Sequence, residues 1–259
     1  MSRLRARCPD CRTLTAVALA SEYECHACGR TFGAGLVRVP RAWGAGGDAM
    51  AEAAYLPLPY PEVGVVDEPA LTEQTLAIAA ALPERPLLVG GCCCAHVGAV
   101  EGLAARNGAL GVVWFDAHGD LNTPETSPSG NPWGMPLRML LDSETIAPAN
   151  TALVGARSLD PPEREFIAAS GLRTGQEGIA PAVDGVESVY VAFDFDVLDP
   201  GEEIDSFMPE PGGLTLAEAE AALAGIAERR QVAGAGFTAF TRSDRNAAAI
   251  ARLAGALGF

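Results

Sequence analysis

The stretch VWFDAHGDLN, residues 113–122, sets Asp116, His118 and Asp120 within five residues directly behind an apolar run. A second run, VAFDFDVLDP, ends in the same manner with Asp194 and Asp196. Carboxylates gathered without basic neighbours repel one another and must take up protons unless cations hold them. Four carboxylates and one imidazole suit manganese, zinc or iron, and carboxylates able to bridge favour two ions a few ångströms apart. Such a pair activates water and stabilises developing negative charge. A solitary aspartate is ordinarily a helix cap or turn residue, and Asp199 before Pro200 is read that way. Two clusters at two strand ends are harder to explain so.

A second donor set is built from sulfur. CPDC supplies Cys8 and Cys11, CHACGRTF supplies Cys25 and Cys28, and thirteen residues separate the pairs. Two such knuckles let four thiolates close tetrahedrally around one structural zinc, and the ion supplies folding energy that a short segment cannot obtain from burial. The segment, residues 1–35, resembles a zinc ribbon, with His26 outside a site already filled by four sulfurs. The remaining cysteines form the run Cys92, Cys93 and Cys94. Seven cysteines with no export signal in view read as metal ligands or thiols rather than a disulfide framework.

The acidic clusters need a scaffold. Short apolar runs, PLLVGG, LGVVWFDAH, TALVGAR, SVYVAFDFD and VAGAGFTAF, alternate with alanine-rich helical stretches, of which LTEQTLAIAAAL, LTLAEAEAALAGIAERR and RNAAAIARLAGAL are the clearest. LVRVP is the first candidate strand, followed by the glycine-rich RAWGAGGD. Apolar runs without polar alternation mark strands covered on both faces, so the order predicts an α/β fold with a mainly parallel sheet over residues 36–259. Ligands collect beyond the carboxyl ends of such strands. GGCCCAH, DAHGD, RSLDPPE and DFDVLDP all fall there, which predicts one densely acidic sheet edge.

These motifs resemble those of the ureohydrolases, the arginases, agmatinases and their relatives. The resemblance covers roughly residue 36 to the end and rests on DAHGDLNTPETSPSGNPWGMP, on VAFDFDVLDP with PGGLT beyond it, and on GGCCCAHVGAVEGL where the family has a GGDHS-like strand end. It implies a three-layer arginase-like fold and two manganese ions. By position, Asp116 and Asp194 would bridge the metals. Asp120 would complete the first site with the residue at the GGDHS histidine, and His118 and Asp196 the second. That histidine is Cys93 here, with Cys92 and Cys94 flanking it. A thiolate ligand would tilt this site toward zinc or iron. Cys92 and Cys94 are read as small buried hydrophobes, and His96, one turn on, as a packing or surface residue with a ligand role as the alternative.

Other departures cluster where the reaction would occur. The family's proton-shuttling histidine is Trp133, its guanidinium-clamping glutamate is Ala239, and a loop threonine is Met208. Asn122, Ser129 and Asn131 match positions that grip an α-carboxylate, and Asp160 one that meets an α-amino group. The expected activity is therefore C–N bond hydrolysis of a guanidino or amidino amino-acid-like substrate, or of a modified side chain, other than free arginine, with Asp120 holding the attacking water species in line. The alternative is an inactive homologue acting as a metal-binding regulatory or interaction protein through its ribbon.

Net charge is −15, which argues against broad nucleic-acid binding. Seven of the 18 arginines lie in the first 41 residues against three acids, so the basic ribbon is the place for a protein or nucleic-acid contact. No apolar run is long enough to span a bilayer, and a cytoplasmic homo-oligomer is expected.

Overall fold

The computed structural model describes residues 5–6, 8, 10–11, 13, 15–19, 22–202 and 204–259. Arg3, Arg7 and Arg12, three of the arginines that make the N-terminal segment basic, lie outside the described residues. Four short strands, β1 (Arg5–Ala6), β2 (Ala16–Leu19), β3 (Glu22–Cys25) and β4 (Thr31–Phe32), pair antiparallel in chain order. Their small core holds Cys8, Ala16, Tyr23, Cys25 and Phe32, with the Tyr23 and Phe32 rings stacked at 5.5 Å.

The second sheet begins two residues beyond β4. Its strands are β5 (Ala34–Arg38), β6 (Glu62–Val65), β7 (Arg85–Val89), β8 (Leu110–Phe115), β9 (Thr151–Val154), β10 (Arg173–Thr174), β11 (Ser188–Asp194) and β12 (Gln231–Thr238). They lie in the order β10-β9-β8-β11-β12-β7-β5-β6, and every pairing is parallel. The apolar runs are continuous because alternate residues enter different layers. Val113 and Phe115 face one core layer and Val112 and Trp114 the other; Val189, Val191 and Phe193 divide in the same way from Tyr190 and Ala192.

Among the described residues, eight α-helices connect and cover the strands: α1 (Asp48–Ala51), α2 (Leu71–Ala81), α3 (Cys94–Asn107), α4 (Pro136–Asp142), α5 (Pro161–Ser170), α6 (Ile179–Val183), α7 (Leu216–Arg229) and α8 (Asp244–Ala256). Helices α6, α7 and α8 supply one layer, α2, α3 and α4 the other. In α7, Ala219, Leu223, Ile226 and Ala227 share the buried face, and Thr215 and Glu218 form a reciprocal capping box at its start. The parallel α/β sheet is the class expected from the apolar runs, and its three layers are those that the family resemblance implies. Among the described residues, no helix is long and apolar enough to cross a membrane.

Helix α3 carries the cysteine run at its start, so its seating matters for the site. It lies close against α2 at Gly98, where an added Cβ would collide with the Thr75 carbonyl oxygen and lie 2.9 Å from Ile78 Cβ. We expect Gly98→Val to force these helices apart and lower stability by about 1–3 kcal/mol. Chemical denaturation measures this; an unchanged midpoint would contradict the close crossing.

Candidate functional site

The sheet register gathers the donors. β8 and β11 pair Phe115 with Phe193, so Asp116 and Asp194 leave neighbouring strands side by side. On the other flank of β11, Asp194 pairs with Thr238 at the end of β12. β12 in turn pairs with β7, after which Cys93 stands immediately before α3. Four adjacent strands thus deliver Asp116, Asp194, Thr238 and Cys93 to one place. β7 and β8 are consecutive in the chain yet lie on opposite sides of β11 and β12, the kind of order reversal beside which α/β sheets bind ligands.

Ligand atoms of Cys93, Asp116 and Asp120 lie within 4.8 Å of one another, and so do those of Asp116, His118 and Asp196. Asp116 belongs to both groups. Asp194 stands between them: its Oδ2 accepts from Cys93 Sγ at 2.9 Å, and its Oδ1 accepts from the Asp196 amide at 2.8 Å. His118 Nδ1 is 2.9 Å from Asp196 Oδ2 and 3.5 Å from Asp116 Oδ1, while its Nε2 is 3.6 Å from Glu210. Main-chain amides hold the carboxylates in place, His118 N on Asp116 Oδ1 at 2.7 Å and Ala117 N on Asp196 Oδ1 at 2.9 Å. Trp114 Nε1 donates to Asp116 Oδ2 at 3.2 Å.

These acids are buried, and their titration shows how poorly the unneutralised cluster tolerates charge. Burial and then the negative charge of Asp116 push Asp120 well above the usual carboxylate range; burial and then Asp196 do the same to Asp194. Burial and Asp116 raise Asp196 to about 6. For His118, burial opposes protonation, but hydrogen bonds to Asp116 and Asp196 outweigh it and raise the imidazole to about 12. Burial raises Asp116, but the bond to His118, that imidazole's charge, the His118 amide and the Trp114 indole together outweigh it and lower the carboxyl. Arg157, beside the site, bonds main-chain carbonyls of Gly155, Asp196, Val197 and Glu210. Asp120 Oδ2 is buried without a hydrogen-bond partner, on a backbone at φ +53°. An orphaned carboxylate oxygen, two donor groups sharing one aspartate, and mixed carboxylate, imidazole and thiol chemistry fit a pair of divalent cations.

The pocket over these donors is lined by Asn122, Ser129, Trp133, Asp160, Met208 and Ala239 among the residues singled out by sequence. Asn131 has another engagement: its Oδ1 accepts from the Ala45 amide at 2.9 Å, fastening the glycine-rich loop. Asn122 Nδ2 donates to Asp160 Oδ2 at 2.9 Å. Trp133 meets Phe207 edge-on at 5.6 Å, and with Met50, Cys92, Cys94 and Ala239 they make an apolar wall. Cys92 Sγ accepts from the Trp43 amide at 3.3 Å. His96 is fully buried, and burial lowers its pKa to about 3.

Sequence reasoning missed Glu163, Glu210 and Phe207. Glu163 caps α5 and ties down the acidic loop, accepting from Asp160 N at 2.9 Å and Leu121 N at 3.0 Å. The spacing DPPE carried that signal, since an acid three residues after a capping aspartate marks a helix start. Nothing local marks Glu210 or Phe207.

In the N-terminal sheet the four sulfurs of Cys8, Cys11, Cys25 and Cys28 converge within 4.8 Å. Cys8 and Cys28 are 3.6 Å apart, and Cys11 and Cys25 3.5 Å. Tetrahedral zinc with bonds of ~2.3 Å requires a sulfur spacing of ~3.8 Å, close to both. A hydrogen bond with Thr15 lowers Cys25 to about 5, favouring its thiolate.

The parallel sheet, its helical layers and the paired aspartate motifs define a ureohydrolase-type α/β protein. The chain belongs to the arginase family, whose model matches residues 49–256. It is 36% identical to the arginase of Bacillus caldovelox over 178 residues, 59% of this chain and 60% of that protein. It therefore aligns with little more than half the length of such relatives. The structure of that arginase superposes with a TM-score of 0.79 at 26% identity, covering 87% of this chain and 98% of the other. The proclavaminate amidino hydrolase of Streptomyces clavuligerus shares the fold at a TM-score of 0.70 and 20% identity, over 87% and 90% of the two chains. The four-cysteine module lies outside the matched span.

The electrostatics set a pH dependence. Asp196 has a folded pKa above its unfolded value, so between about pH 4 and 6 the folded metal-free protein binds more protons than the unfolded chain. Its stabilising contribution is lost as pH rises through that window. Asp120 and Asp194, shifted upward too, extend the loss, and His118 adds its own above its unfolded pKa; Asp116 acts oppositely in acid, and His96, lowered to about 3, acts oppositely up to its unfolded pKa but is one group against four. We expect metal-free protein to melt at a lower temperature near about pH 8 than near about pH 5, and manganese to offset the difference, because metal binding displaces protons. Thermal unfolding with chelator or manganese measures both; a metal-free Tm that rises with pH would contradict it.

Proposed function

We propose that this chain is a binuclear metallohydrolase that cleaves a C–N bond of a guanidino or amidino amino-acid-like substrate other than free arginine. The observation that carries this reading is Asp116 shared between two donor groups, one of which contains the partnerless Asp120 oxygen. Asp116 and Asp194 would bridge two manganese ions, with Cys93 and Asp120 completing one site and His118 and Asp196 the other. The thiol makes zinc or iron the alternative at the Cys93 side. When bound, the cations supply Lewis acidity and make water a nucleophile at neutral pH. Asp120 accepts a hydrogen bond from that water and fixes its line of approach.

The pocket walls argue for substrate class. Asn122, Ser129 and Asp160 offer polar and anionic contacts to an amino-acid backbone, and Glu210 adds negative charge at the rim. At the reacting end stand Trp133, Phe207, Met208 and Ala239. A desolvated guanidinium without a counter-charge is costly to bury. General acid–base assistance is typically worth about two to four powers of ten, so its loss at Trp133 slows turnover without forbidding it. A modified guanidino or amidino group suits this surface better than arginine's own. A separate zinc held by Cys8, Cys11, Cys25 and Cys28 would be structural.

Two measurements test the reading. Elemental analysis should find about one zinc that disappears with Cys8→Ser and Cys11→Ser and up to two further ions that remain. Asp116→Ala should empty both of the latter, and His118→Ala should weaken one. A single metal lost with the ribbon cysteines would refute the binuclear site. For specificity, Ala239→Glu combined with Trp133→His should raise urea release from arginine above the parent, because both restore interactions that strengthen toward the transition state. Parent turnover of arginine at ordinary enzyme rates, about ten per second, would contradict the pocket assignment. Inactivity of both forms on guanidino, amidino and amide compounds, with metals bound, would favour a non-catalytic interaction protein.

A further inference from the structure

Behind the proposed metal ligands, three polar side chains form a line through an otherwise apolar core layer. Tyr190 on β11 places its hydroxyl 2.8 Å from His96 Nδ1 on α3. His96 Nε2 lies 3.0 Å from Thr238 Oγ1 at the end of β12, and that hydroxyl lies 3.5 Å from Cys93 Sγ. Tyr190, His96 and Thr238 are completely buried, and Cys93 is 3% exposed. Buried polar groups in such a layer are costly unless each finds a partner, and here each does.

The surroundings are shaped for this line. A Cβ at position 236 would stand 2.5 Å from the Tyr190 hydroxyl and 2.7 Å from the His96 ring, so only Gly236 leaves room for both. Trp114 packs edge-on to His96 at 5.1 Å while its Nε1 donates to Asp116. The imidazole is thus wedged between the groups that orient two donors of the site.

The direction of the hydrogen bonds follows from the proton inventory. With one hydroxyl on each ring nitrogen, a neutral imidazole donates through one and accepts through the other. If Tyr190 donates to Nδ1, Nε2–H donates to Thr238 and the threonine proton is left for Cys93 Sγ. The opposite assignment leaves the phenol proton with no acceptor in this line. A hydroxyl that donates to sulfur suits a thiolate ligand, whereas the histidine usual at this position in the family would need an acceptor behind it.

We propose that Tyr190, His96 and Thr238 form a one-way hydrogen-bond relay that orients Cys93 Sγ toward a bound cation, an adaptation of the core to a cysteine at this ligand position. The three are positioning residues, and the inference rests on the metal-site reading given above.

Cadmium NMR of the full-length protein loaded with cadmium tests it, because the shift reports how many sulfurs bind each ion. The parent should give a four-sulfur resonance from the N-terminal site, a one-sulfur resonance from the Cys93 site and a third with no sulfur. Thr238→Val should displace the one-sulfur resonance and weaken that site by about 10- to 100-fold in chelator competition, and Thr238→Ser should restore both. Tyr190→Phe, a milder change two bonds further back, should move the same resonance in the same direction and leave the other two in place. A one-sulfur resonance unmoved, with unchanged affinity, in folded Thr238→Val and Tyr190→Phe would overturn the relay alone. Its absence from the parent would overturn both the relay and the metal-site reading.

Discussion

Mutual repulsion among Asp116, Asp120, Asp194 and Asp196 is the constraint around which the pocket is organised. All four are buried, and His118 is the basic side chain paired with two of them. A parallel sheet is what makes such crowding attainable, because it sends every strand's carboxyl end to the same edge. Adjacent registers, Phe115 with Phe193 and Asp194 with Thr238, then fix the side chains next to one another whatever their charge. Large dry core layers on both faces supply the stability that tolerates this arrangement.

Much of the surrounding structure serves to hold the acids where they are. Asp116, Asp194 and Asp196 each accept a main-chain amide, and Asp120 is carried on a left-handed turn. Glu163 clamps that turn from α5 through Leu121 N. Local strain and an unsatisfied oxygen in one residue are features that concentrate at functional positions. Here they fall on the aspartate proposed to steer water.

The opposite wall has moved toward apolar chemistry as a unit. Trp133 and Phe207 pack together, Phe207 N donates to the Ala239 carbonyl at 2.8 Å, and Asn131 fastens the preceding glycine-rich loop through Ala45. Ala239 adopts φ +57°, so a small side chain stands on a backbone shaped by its two hydrogen bonds, to Gly91 and Phe207, rather than by its own preference. Trp133, Phe207 and Ala239 therefore form one apolar wall, and Met208 lines the same pocket.

The sequence by itself determined the central strands, the principal helices and the donors. Runs such as residues 110–115 are apolar at every position because both faces are covered, and Asp116, His118 and Asp120 arrive together because one strand end carries all three. The edge strands β6 and β10 were not legible: Val63 and Val65 are exposed, and β10 has only two residues, so neither shows a buried pattern. Cys93 was legible as a candidate ligand, but not the Tyr190, His96 and Thr238 line behind it, nor Glu210 beside His118 and Phe207 against Trp133. Those pairings join residues distant in the chain, and only the tertiary structure could decide them, since hydrogen bonds and ring contacts act over a few ångströms and leave no periodicity in the sequence.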